Sequence, residues 1–78
     1  MKGRFKDRVW VTLKPDIPEG ADPWPRPGQV LTIICDVNEA SDLPPLYQCE
    51  WMAAGKTHTR LFSERQLESW PPHHVAAV

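Results

Sequence analysis

Nine prolines in 78 residues, five of them between Pro15 and Pro27, decide most of what this chain can become. Each proline lacks a backbone N–H and fixes its own φ, so it ends helices and is kept out of sheet interiors. Long helices are excluded, and residues 14–27 must form a loop. What remains is short runs of chain between turns, which is the pattern of an all-β or loop-rich domain. A hydrophobic content of 41% with 24% charged residues is that of a globular protein. At this length there is one domain, and it buries only about 60% of its unfolded surface, so its stability is modest or shared with a partner.

The runs between the prolines carry a period of two. Residues 8–13 form the first expected strand, with Val9, Val11 and Leu13 on one face and Trp10 on the other. Residues 28–37 form the second, apolar on both faces around Ile33 and Ile34. One face packs on the core; the other, carrying Val30 and Ile34, calls for a second cover, and a small domain with two apolar faces on one strand often dimerises. In residues 46–53, Tyr47, Cys49 and Trp51 alternate with Gln48 and Glu50. Ala53-Ala54-Gly55-Lys56 breaks the alternation, and Gly55 supplies the freedom for a tight reversal. Residues 56–62 continue as a fourth strand, completing a hairpin. Ser63-Glu64-Arg65-Gln66 is a capping-box pattern for a single helical turn, followed by a last short strand, residues 67–70. The acidic segment from Asn38 to Pro45 reads as a surface turn.

Cys49-x-Trp51, the glycine turn and Phe62-x-Glu64-x-x-Leu67 resemble the ending of the YodC-like family of small bacterial proteins, and Phe5-Lys6-x-x-Val9 is similar to that family's opening strand. The proline-rich 15–27 loop is longer than in the family. The resemblance implies a bacterial or mobile-element origin and a five-stranded SH3-like barrel, with a long proline-rich first loop and one short helical turn before the last strand; the family's function is unknown. The expected core is Val9, Val11, Leu13, Leu31, Ile33, Cys35, Tyr47, Cys49, Trp51, Phe62 and Leu67. Residues 1–5 are expected as a frayed basic tail, 6–70 as the barrel and 71–78 as a second tail. The plasmid-borne type II dihydrofolate reductases look similar in scaffold and work as pore-forming tetramers. Their Val-Gln-Ile-Tyr motif falls here on Thr59-Arg60-Leu61-Phe62, so the glutamine and the tyrosine hydroxyl are both replaced.

Charge is uneven: about the net of −1, residues 1–14 carry +4, residues 15–55 carry −6 and residues 56–78 carry +1. A basic arm beside an acidic middle suits self-association or an anionic partner, although the same charges serve as a solvated tail. The acidic middle breaks any continuous basic track for nucleic acid. No apolar run approaches membrane length and no leader pattern is present, so a cytoplasmic location is expected, with Cys35 and Cys49 as free thiols.

No phosphate loop, nucleophile elbow or metal-binding motif occurs. His73 and His74 are adjacent, which points their side chains apart in extended chain. No catalytic residue, metal or cofactor is assigned. The candidate binding residues are Trp10, Trp24, Arg26, His58, Arg60 and Trp70. Trp24 and Arg26, in Pro23-Trp24-Pro25-Arg26-Pro27, either face a partner, since Trp and Arg dominate binding hot spots, or Trp24 folds back as a lid on a small core. His58 and Arg60, two apart on one face, bind an anion or form a solvent face. The expected function is a non-enzymatic binding or adaptor module that self-associates and takes a protein or peptide ligand. The alternatives are a single-stranded nucleic-acid binder, built on aromatics and basic residues, and a pore-type oligomeric enzyme.

Overall fold

A computed structural model describes residues 3–72. The protein is all-β, with five antiparallel strands in one sheet: β1 (Trp10–Leu13), β2 (Leu31–Asp36), β3 (Leu46–Ala53), β4 (Lys56–Ser63) and β5 (Leu67–Ser69). A 3-10 turn, Glu64–Gln66, separates β4 from β5. The sheet order is β4-β3-β2-β1-β5, so strands joined by three residues lie at opposite edges. Four strand spacings in a flat sheet would be about 19 Å. A 3-10 link from Ser63 to Leu67 covers roughly 8 Å. The sheet must therefore curl, and its concave side becomes the core.

That core holds Phe5, Val11, Leu31, Ile33, Tyr47, Cys49, Trp51, Phe62 and Leu67, with Val9, Leu13, Trp24 and Ala53 packed against it. The β3 alternation is as expected, with Tyr47, Cys49 and Trp51 inside. The hairpin closes on Ala53 opposite Lys56. Both loop residues have positive φ, 53° at Ala54 and 74° at Gly55, which is the I′ geometry whose twist matches the strands. The capping box also forms: Gln66 Oε1 accepts from the Ser63 amide at 2.9 Å and from its hydroxyl at 3.2 Å.

Five expectations are corrected. Cys35 is not core. The β2–β3 register slips between Ile33 and Cys35, so Ile34 is a bulge residue and the parity of the strand reverses. Cys35 then stands opposite outward-facing Gln48, and Asp36 opposite buried Tyr47. The bulge also leaves Ile34 half-buried, as is Val30, so the face thought to need a cover is not bare. The second strand starts at Leu31 rather than at 28, because Arg26-Pro27-Gly28-Gln29 is a type II turn: Gln29 N–H donates to Arg26 O at 2.9 Å and Gly28 has φ 79°. The first strand starts at Trp10 because Arg8, at φ 71°, interrupts it.

The last correction concerns the N-terminus. Phe5 is buried and meets the Tyr47 ring edge-on at 5.5 Å. Its N–H donates to the Tyr47 hydroxyl at 3.2 Å, and that hydroxyl donates to Glu64 Oε2 at 3.0 Å. The Arg4 N–H donates to the same carboxylate oxygen. Packing against Tyr47, which period-two reasoning cannot locate, orders this segment. Burial raises the Tyr47 pKa, with Glu64 adding to the rise and the Phe5 N–H opposing it.

Phe5→Ala should cost about 3 kcal/mol in urea unfolding, a core-sized loss from a residue near the chain end; a loss under about 0.5 kcal/mol would mean a frayed arm. Ala54→Asn should stabilise by about 0.5–1 kcal/mol, because Asn tolerates the left-handed conformation that strains alanine.

Candidate functional site

The long loop is built onto the sheet at three points. At its start, the Lys14 N–H donates to Gln66 O at 2.9 Å, in the turn before β5, and Ile17 N–H closes back on Lys14 O at 3.2 Å across Pro15. At its end, the type II turn sets Gln29, whose carbonyl accepts from the Thr12 hydroxyl at 2.9 Å. In the middle, Arg60 Nη1 donates to Ala21 O at 3.0 Å and to Pro23 O at 3.3 Å. The same guanidinium lies 4.9 Å from the centre of the Trp24 ring, and Trp24 meets Phe62 edge-on at 5.3 Å. Prolines make this clamp suitable: carbonyls in a proline-rich segment have few amide donors nearby, so a charged guanidinium satisfies them.

Between this loop and strands β1 and β5 lies a groove of about 430 Å³. Its apolar walls include Leu13, Ile17, Trp24, Pro25 and Pro72, and its polar groups are Thr12, Lys14, Glu19, Arg26 and Glu68. Charge is therefore balanced, two cations against two anions. A concave apolar site with a few polar groups is the general form of a ligand pocket.

The candidate residues fall into separate places. Trp10 and Trp70 come together: Trp70 N–H donates to Trp10 O at 3.2 Å, and the rings stand edge-to-face at 5.8 Å. They remain 57% and 36% exposed. Trp24 does not join them as one open aromatic surface; it folds back as a lid while still forming groove wall. Arg26 is exposed at the groove. His58 and Arg60 share the Phe62 side of β4 rather than a solvent face, and both are half-buried. His58 sits opposite Trp51, with its ring centre 5.6 Å from the indole.

Thr12, Glu68 and Pro72 were missed as groove residues, because what groups them is the strand register that pairs Thr12 with Glu68 and the path of the chain out of β5 through Pro71 and Pro72, neither of which the sequence displays. Among the described residues, no group of three His, Cys, Asp or Glu side chains is placed to hold a metal; His73 and His74 lie outside them. No described helix is long and apolar enough to cross a membrane. Cys35 and Cys49 are free thiols. Burial pushes Cys49 from 9.0 up to about 12, which removes it as a nucleophile at neutral pH.

Comparison of the chain with protein-family models, curated proteins and solved structures finds no match.

Arg60→Ala should release the loop centre, destabilising the fold by about 1–2 kcal/mol and raising amide hydrogen exchange at Ala21, Asp22 and Trp24 above that of the strands. Arg60→Lys should recover only part, since an ammonium cannot reproduce the planar stack. Below about pH 9 the Cys49 thiol is protonated both folded and unfolded. Above it the unfolded thiol ionises first, so stability should fall as pH rises from about 9 towards about 12. Cys49→Ala should make that fall shallower, as read from urea midpoints across the range.

Proposed function

We propose that this is a non-enzymatic binding or adaptor module whose ligand site is the groove between the proline-rich loop and the β1–β5 face. The observation that carries this reading is the groove itself, with apolar walls and Arg26 exposed at its rim. Its balanced charge suits a polypeptide, which offers neutral backbone and side chains of both signs, better than a polyanion. Engagement of Arg60 with Ala21, Pro23 and Trp24 gives that residue a structural role and supports the non-enzymatic reading over a pore enzyme of the dihydrofolate reductase type. The resemblance to the YodC-like proteins, a family of unknown function, bears on the fold alone and adds no ligand.

A second reading, single-stranded nucleic acid, draws on one observation: the exposed Trp10–Trp70 pair, with exposed Arg4, Lys6 and Arg8 in the segment before β1. Aromatic stacking beside basic residues is the general chemistry of such sites.

The two readings separate by amide chemical-shift mapping. A peptide enriched from a random displayed library should shift Thr12, the Trp24 indole, Arg26 and Glu68, and Arg26→Glu should weaken it about tenfold, the loss of one charge-assisted contact. Shifts confined to Trp10, Trp70 and residues 4–8 on adding a thymidine oligonucleotide, with affinity falling steeply in salt, would favour nucleic acid instead.

A further inference from the structure

The tryptophan pair and the groove lie on one line of the fold. On β1, Trp10 and Thr12 are two residues apart; across from them, Glu68 of β5 pairs with Thr12 and Trp70, just past the end of β5, hydrogen-bonds to Trp10. Thr12 and Glu68 line the groove, and so does Pro72, two residues past Trp70. The ledge made by Trp10 and Trp70 therefore adjoins the groove along the strand direction. The two rows are about 6.6 Å apart, the repeat of an extended chain between side chains on the same face.

The size of the ledge decides what can use it. The combined exposure of Trp10 and Trp70, 57% and 36%, amounts to about one tryptophan surface, on the order of 200 Å². A stable dimer needs about 800 Å² from each partner, so the ledge alone does not hold a second copy. Its area matches that of one side chain. The neighbouring polar groups, Lys14, Arg26, Glu19 and Glu68, balance in charge, which again fits a peptide and not a polyanion.

We infer that ledge and groove form one two-point site for an extended peptide laid along β1 and β5, with an apolar or aromatic side chain on Trp10 and Trp70 and a second apolar side chain, two residues away, in the groove. This rests on the groove reading above and specifies its ligand. The i, i+2 spacing distinguishes an extended segment from a helix, whose facing residues are three or four apart. Arg26 at the rim sets a preference for an acidic residue flanking the apolar pair.

The test is selection of short peptides from a random displayed library on the wild type, Trp10→Ala, Arg26→Glu and Met52→Ala. Met52 is exposed on β3 and lines neither ledge nor groove. The wild type should return two apolar positions two apart, one favouring aromatic residues. Trp10→Ala should lose the aromatic preference, keep the other, and bind the wild-type peptide about tenfold more weakly. Arg26→Glu should reverse the flanking charge preference only, and Met52→Ala should change nothing. Peptides whose affinity and consensus survive Trp10→Ala would overturn the two-point site while leaving the groove intact. A spacing of three or four would overturn the extended pose. Failure of the wild type to enrich any peptide would remove the groove reading and this inference together.

Discussion

The structure depends on a mismatch between connectivity and sheet order. β4 and β5 are joined by the three residues of Glu64–Gln66 yet stand at opposite edges of the sheet. A flat sheet cannot meet that constraint, so the strands curl and enclose Phe62 and Leu67, which flank the link. The capping box at Ser63 and Gln66 stabilises the link locally, and the Lys14 N–H, donating to Gln66 O at 2.9 Å, ties it to the end of β1. Curling also brings the N-terminal segment beside the link, where Glu64 accepts hydrogen bonds from Tyr47 and Arg4.

The same curvature shapes the site. Arg60 sits on the core-side face of β4, two residues before Phe62, and reaches the loop that departs from β1. One guanidinium thus ties an edge strand to the middle of the longest loop, while Thr12 and the type II turn fix the loop's far end. The groove wall is held by interactions made inside the chain, so a ligand would meet a surface that is already ordered. Such preorganisation lowers the entropy that binding must overcome.

Much of this was legible in the sequence where the determinants are local. Alternation from Tyr47 to Trp51, the Ala54-Gly55 turn and the Ser63–Gln66 box each rest on neighbours a few residues apart, and each formed as read. The failures share the opposite property. Phe5 is ordered by Tyr47, 42 positions away. Cys35 leaves the core because one extra residue in β2 reverses parity, and a bulge has no side-chain signature among Thr32-Ile33-Ile34-Cys35. The Pro27-Gly28 turn was a readable local signal, and it was absorbed into a strand because the apolar residues after it dominate the pattern. For the site, residue type pointed to the aromatics and arginines, but not to their grouping: Trp24 with Arg60, Trp10 with Trp70, and Arg26 on the groove. Grouping is set by register and by contacts 36 or more positions apart, which a single sequence does not display.

The central claim is that the proline-rich loop is a fixed wall, held by Arg60 and Trp24, against which a ligand binds. Backbone 15N relaxation of the free protein tests it most directly. Order parameters for the amides between Ala21 and Gln29 should match those of β3 and β4, at about 0.85. Values below about 0.6 across that stretch would show a loop moving independently of the sheet, and the groove would then not exist as a preformed site.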